Sequence, residues 1–362
     1  MRIPSVVTRV SDLIGHTPLF ELARTQTGTR LLLKLEQFNP TGAAKIRMAQ
    51  QMVLDAEETG QLRPGGTIIE STSGNTGLGL AIVAAERGYR FIAVVDNHAC
   101  TDKLAAMRAM GAELVFVAEE GDDELATSAR EDLAARMAKE HDNAFFTEQH
   151  NNPSNAVGYH PVAHELTAAL GHDIDCLVCP VGTGGSLFGT ARELRRSGIA
   201  VQVIGVEPVG SIAFGGPGGS YYQSGTGTPP GAEIGTAVDY DLLDEGVKVS
   251  DIDAFATARA IAQHNALMIG GSAGGAVHAA LNRLDALPPG STVVTLVCDG
   301  GRKYLDTVFD DDWMRARDLL SSEAEAAVLQ LLAAYDPTRQ DSRPEHLTDR
   351  ETVGLSDYAP LQ

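Results

Sequence analysis

The chain of 362 residues has four cysteines, one tryptophan and no apolar run approaching the ~20 residues of a membrane-spanning helix. So few thiols make no disulfide scaffold, and a reducing compartment suits them. Residues 1–15 lack the uninterrupted apolar segment of a secretory leader, so the expectation is a cytoplasmic protein without membrane partners. Cations are scarce as well: 28 Lys and Arg against 48 Asp and Glu leave a net charge of −20. Nucleic-acid binders gather Lys and Arg on one face, so this balance argues against a nucleic-acid partner. No repeat of fixed period is present, which removes solenoids and propellers. No glycine loop ends in Gly-Lys-Ser/Thr or keeps GxGxxG spacing, which disfavours ATP and NAD.

What is present is an ordinary globular composition, 43% apolar and 21% charged, in a chain longer than one hydrophobic core usually serves. Two domains with a cleft between them are therefore expected. Short apolar runs at 31–35, 67–71, 91–96, 114–117, 176–179, 201–206 and 293–298 read as buried strands. They alternate with helical patterns, among them 48–58, 78–87, 124–141 and 254–266, and such alternation predicts an α/β fold of mostly parallel sheets covered by helices. Residues 209–235, rich in Gly, Pro, Ser and Thr, form a long irregular segment that reads as a substrate-covering or interface loop, or as a surface excursion. Beyond residue 334 the chain turns polar and proline-punctuated.

Four segments carry the chemistry. Asn39-Pro-Thr-Gly-Ala-Ala-Lys45 delivers a lysine to a helix start, where a cation is disfavoured unless its amine is consumed as a neutral imine or tied to an anion. A solvated surface lysine is the plain alternative. Thr72-Ser-Gly-Asn-Thr-Gly77 follows a strand and opens a helix, where glycines and free N–H groups suit a carboxylate or phosphate. Gly182-Thr-Gly-Gly-Ser186 repeats that arrangement as a second anion nest. Cys298-Asp-Gly-Gly-Arg-Lys-Tyr-Leu305 lies at the carboxyl end of the last strong strand, where open α/β sheets place ligand contacts. One lysine, two anion nests and a strand-end loop are the parts that a phosphorylated aldehyde cofactor and an amino-acid carboxylate require.

In this order, together with Ile14-Gly-His-Thr-Pro-Leu19, residues 149–153, Val206-Glu-Pro208 and Ile269-Gly-Gly-Ser272, the motifs resemble the cysteine synthase and cystathionine β-synthase family over residues 10–313. The resemblance implies a two-domain, three-layer fold-type II architecture binding pyridoxal 5′-phosphate. Residues 1–36 would pack on the C-terminal domain, 37–150 form the smaller α/β domain, 151–320 the larger one, and 321–362 a weakly ordered extension. It assigns Lys45 to the cofactor imine and to catalysis. Asn75, Gly182, Thr183, Gly184, Gly185, Ser186, Gly271, Asp299 and Gly300 would contact the cofactor. Thr72, Ser73, Gly74, Asn75, Thr76 and Gln149 would hold the substrate. The implied reaction is β-replacement on O-acetyl-L-serine or O-phospho-L-serine through an α-aminoacrylate, with a sulfur nucleophile giving cysteine or a close analogue, in a homodimer. Alternatives are a diaminopropionate precursor from O-phosphoserine and glutamate, cystathionine β-synthase activity, and a non-catalytic cofactor-binding relative.

The pattern is broken in places. Many relatives read Ser-Val-Lys-Asp-Arg where this chain has Ala43-Ala-Lys-Ile-Arg47, which leaves Arg47 in need of another partner. The serine that many relatives aim at the pyridine nitrogen falls on Gly300, so Asp299, a water or nothing takes that role. The substrate-facing glycine motif is poorly kept at 233–237. Outside the resemblance, Cys176 and Cys179 lie three apart in a strand-like run and point to opposite faces, which argues against a redox or metal pair. His160 and His164 lack a third ligand, so no metal is expected. Cys100 and Cys298 could be nucleophiles, though buried inert thiols are commoner.

Overall fold

The computed structural model describes residues 6–72, 74–95, 101–117 and 123–340. Among them, ten strands form two sheets. The strands are β1 (Leu19–Arg24), β2 (Arg30–Leu35), β3 (Thr67–Ser71), β4 (Arg90–Val95), β5 (Glu113–Phe116), β6 (Ala144–Phe146), β7 (Cys176–Pro180), β8 (Gln202–Pro208), β9 (Glu245–Val249) and β10 (Thr292–Val297). The larger sheet runs β1-β2-β10-β7-β8-β9 and the smaller β5-β4-β3-β6. Every pairing is parallel except β1 with β2. The helices are α1 (Lys45–Glu58), α2 (Asn75–Arg87), α3 (Thr101–Ala109), α4 (Asp123–Glu140), α5 (Ser154–Val157), α6 (His160–Leu170), α7 (Gly185–Arg196), α8 (Asp251–Asn265), α9 (Gly271–Leu281), α10 (Asp311–Arg315), α11 (Ser322–Ala334) and α12 (Pro337–Gln340). The expected α/β class with mostly parallel, helix-covered sheets is what forms.

Side-chain alternation divides the interior into layers. On β7, Cys176 and Val178 enter the core shared with α8, α9 and α11, whereas Leu177 and Cys179 enter the one shared with α6 and α7. The two thiols thus face opposite ways. In the smaller sheet Ile68 faces α2 and Ile69 faces the α4 side. Because both faces are covered, β3, β7 and β10 are buried at every position, which explains their uninterrupted apolar sequences.

Helix α1 joins the two sheets. Met48 and Met52 lie in the α6/α7 core, while Ala49, Val53 and Ala56 pack with α2. The approach of α1 to α2 is close enough that a Cβ on Gly79 would lie 3.0 Å from the Ile46 Cα. Ile46 is fully buried there, an environment that favours the aliphatic side chain over an acid. The weak order expected for 321–362 does not hold for its first part: residues 322–334 form α11, whose Val328 and Leu332 are buried in the α8/α9 core. Residues 341–362 lie outside the described residues.

Candidate active site

The four motif segments meet where the carboxyl ends of β3, β7 and β10 face the turn that follows β2. That turn, residues 39–44, is fastened to the end of β10. The Ala44 N–H donates to the Cys298 carbonyl at 2.8 Å, the Gly300 N–H donates to the Gly42 carbonyl, and Ala43 forms an antiparallel bridge with Asp299. Lys45 therefore begins α1 at a fixed place against the strand-end loop. Burial pushes its ammonium below the ordinary lysine value, against the opposing pull of Cys298, Asp299 and Glu70, and the neighbouring Lys103 lowers it further.

Lys45 lines a cavity of about 340 Å³ together with Thr72, Gly74, Asn75, Thr76 and Gln149 from one sheet and Gly182 and Thr183 from the other. Ser73 lies outside the described residues. At the start of α2 the Thr72 hydroxyl accepts the Gly77 N–H at 3.1 Å. The Thr76 hydroxyl donates to Gln149 Oε1 at 2.7 Å, and Gln149 Nε2 donates to Glu70 Oε1 at 3.3 Å. Glu70 also accepts the Thr147 hydroxyl and the Gln149 N–H. Burial pushes this carboxyl up to about 8, against those hydrogen bonds.

At the start of α7, Gly184 takes φ +88°, and a Cβ there would lie 2.7 Å from the Val238 nitrogen. Gly185 follows so closely on Asn155 that a Cβ would fall 1.9 Å from its Oδ1. The buried Asn155 props the loop by donating to Thr183 Oγ1 at 3.0 Å and to the Gln149 carbonyl at 2.7 Å. With no side-chain cap and no acid in its first turn, the amino end of α7, including Gly185 and Ser186, keeps its N–H groups available to an anion.

The remaining expected residues stand behind this cavity. Asn75 Nδ2 donates to Asp299 Oδ2 at 2.8 Å while its Oδ1 accepts from Lys303 Nζ. Tyr304 donates to the same Asp299 oxygen at 2.7 Å. Asp299 Oδ1 is buried without a hydrogen-bond partner among the described residues, beside Gly270. Gly300 bridges Ile269 and lies against Gln37, and Gly271 packs on Phe255, so neither lines the cavity. Burial pushes the Cys298 thiol up to about 12, which makes it a poor nucleophile. Cys100 lies outside the described residues. His160 and His164 both face Glu193 on α7.

Residues given no role by the sequence complete the walls: Lys103 from α3, Arg130 and Glu131 from α4, and His150 of the 149–153 motif. Burial, aided by the charges of Lys45 and Arg130, pushes His150 down to about 4, so its imidazole is neutral at pH 7. The adjacency of His150 to Gln149 was the only sequence signal for any of these. Within the irregular segment, residues 224–227 and Pro229 also line the cavity. Val181 anchors that stretch through its carbonyl, which accepts the Thr226 hydroxyl at 2.8 Å and the Gly227 N–H at 2.7 Å. The 233–237 stretch is tied down by the Thr236 N–H, which donates to the His150 carbonyl at 2.9 Å.

Comparison with known proteins gives a consistent result. A family profile described as pyridoxal-phosphate dependent enzyme matches residues 10–299. A relative from Sinorhizobium fredii, provisionally named a cysteine synthase, is 51% identical over 316 residues, covering 86% of this chain and 94% of its own. The crystal structure of an O-acetylserine dependent cystathionine beta-synthase from Helicobacter pylori superposes with a TM-score of 0.76 at 32% identity, covering 84% of this chain and 99% of its own. That of an O-ureido-L-serine synthase gives 0.78 at 31%, covering 89% and 99%.

Proposed function

Because the chain belongs to the pyridoxal-phosphate dependent enzymes and is of their cysteine synthase type, we propose that it replaces the β-substituent of O-acetyl-L-serine or O-phospho-L-serine with a sulfur nucleophile, giving cysteine or a close analogue. The observation that carries this reading is the position of Lys45, fastened by its turn to the end of β10 and sharing a cavity with the amino ends of α2 and α7, of which α7 carries no side-chain cap. The cavity fits the cofactor: Gly184 and Gly185 let the loop pack against Val238 and Asn155 where any Cβ would collide, and the uncapped start of α7 suits a phosphate.

Bound pyridoxal phosphate supplies an aldehyde for covalent attachment and a ring that withdraws electrons from the substrate's α-carbon. Lys45 would hold it, with residues 182–186 around the phosphate and Asn75 beside the ring. The depressed basicity of Lys45 leaves more of its amine neutral near pH 7, as a group that attacks an aldehyde or takes an α-proton must be. Thr72, Gly74, Thr76 and Gln149, with Ser73 of the same motif, would hold the substrate carboxylate at the start of α2. Residues 224–227 and Pro229, held at the cavity wall by the Val181 carbonyl, would limit the access of water to the reacting centre.

O-acetylserine or O-phosphoserine added to loaded protein should change the cofactor's absorption, and sulfide should then restore it with release of cysteine. An unchanged spectrum with both donors would overturn the reading in favour of a binding protein. Lys45→Ala should abolish the cofactor adduct that borohydride traps; an adduct that persists would move the role to another lysine.

A further inference from the structure

Lys103 is a cavity cation to which the proposed chemistry gives no role. Lys103, on α3, is 9% exposed, lines the cavity beside Lys45, and makes no hydrogen bond or ion pair among the described residues. Its Nζ lies 5.3 Å from the centre of the Tyr304 ring. An aromatic face replaces only a small part of the water that an ammonium gives up on burial, so such a group needs an anion. Glu131 is the only acid among the described residues lining this cavity, against Lys45, Lys103 and Arg130, and burial raises its pKa and so favours its neutral form. The two anion cradles at α2 and α7 are made of backbone and hydroxyl groups, and in the reading above the substrate carboxylate and the cofactor phosphate fill them. Lys103 is therefore left to meet a third negative group.

We propose, resting on the function given above, that Lys103 determines specificity by pairing with an oxyanion on the reacting side of the substrates. The oxyanion is either the phosphate of an O-phosphoserine donor or the SO3 group of an oxyanion-bearing sulfur nucleophile such as thiosulfate. Both sources offer the same chemistry: a compact anion entering a cavity where Lys103 meets no acid among the described residues. Closing water out of the cavity strengthens the attraction.

The experiment compares loaded wild type with K103M, K103Q and K103R. One arm measures kcat/KM for O-phosphoserine and O-acetylserine at fixed sulfide. The other measures thiosulfate and sulfide at fixed O-acetylserine. Loss of a buried charge-assisted contact predicts that K103M and K103Q lower the kcat/KM ratio of O-phosphoserine to O-acetylserine, or that of thiosulfate to sulfide, at least about tenfold, with K103R recovering part of it. The two neutral variants guard against one that fails to fold. The arm that responds identifies the source. Equal losses for all four compounds would overturn the proposal, as would a wild type that uses neither O-phosphoserine nor thiosulfate. If O-acetylserine and O-phosphoserine both leave the wild-type cofactor spectrum unchanged, the β-replacement reading itself falls, and a shift with O-acetylserine alone separates the two failures.

Discussion

Replacing Arg47 by methionine (R47M) keeps most of the apolar stem and removes the charge that holds α1 to the larger sheet. Arg47 Nε donates to Glu36 Oε2 at 2.6 Å and Nη2 to Glu36 Oε1 at 2.8 Å, while Nη1 reaches Glu165 Oε1 at 2.8 Å. Lys34 binds the other side of Glu165, so two cations and two carboxylates balance in one buried cluster. Glu36 is fully buried, and without Arg47 it keeps only Thr17 and Asn39 as side-chain donors among the described residues. Removing one partner of a buried pair leaves an uncompensated charge and costs about 3–5 kcal/mol. Glu165 supplies a second signature. Burial would raise its pKa, but hydrogen bonds and charge from Arg47, and then from Lys34, hold it at about 2 against an ordinary 4.5. Below 4.5 the unfolded chain takes up the proton first, so this contribution is present above that pH and is lost as pH falls towards 2. Its full size is on the order of 3 kcal/mol. Urea unfolding of the loaded protein at pH 7.5, followed by far-ultraviolet circular dichroism, should show R47M losing several kcal/mol, with a flatter acid limb between pH 5 and pH 3. A loss under about 1 kcal/mol, or an acid limb like that of wild type, would refute the reasoning.

Glu70 predicts the opposite slope. Its carboxyl is pushed up to about 8 by burial, so between 4.5 and 8 the folded state holds a proton that the unfolded chain has released, and stability declines as pH rises across that window. E70Q should remove this decline and melt no lower than wild type at pH 8; an unchanged pH dependence of melting would show that Glu70 does not carry it. G184A forces a side chain into φ +88° and towards the Val238 nitrogen, a strain of about 1–3 kcal/mol at the loop that would hold the cofactor phosphate. Its bound cofactor per chain, read by absorption, should fall well below the wild-type value, and full occupancy would contradict the proposed phosphate position.

The fold was legible where burial on both faces leaves an unbroken apolar run, as in β3, β7 and β10. It was less legible where strands or helices are partly exposed. Strand β5 is exposed or half-buried throughout, yet its β-branched and aromatic residues marked it, whereas β9, with Glu245, Gly246 and Lys248 among its five residues, gave no such pattern. Residues 322–334 were grouped with the polar stretch beyond them although they are rich in Ala and Leu; only Val328 and Leu332 of α11 are fully buried. A helix laid on the outside of a core needs few apolar contacts, and periodicity over one such stretch is weak.

The site separated along a different line. Glycine loops, the lysine turn and the strand-end motif are each local in sequence, because a tight turn and a helix start are built from consecutive residues. The groups that tune them are not. Glu36, Arg47 and Glu165 meet from a short helical turn, α1 and α6, and no spacing rule links positions so far apart. Arg47 shows how the two kinds of information combine. Its motif lacked the usual acid at Ile46, which signalled that a partner had to come from elsewhere; the fold supplies two, and Ile46 is instead spent on the α1–α2 contact. Lys103 is the reverse case, a cation that the fold buries beside the Tyr304 ring with no hydrogen bond or ion pair among the described residues. The first departure is resolved within the chain, so it predicts a loss of stability. The second is left open towards the cavity, so it predicts a change in which substrates are chosen.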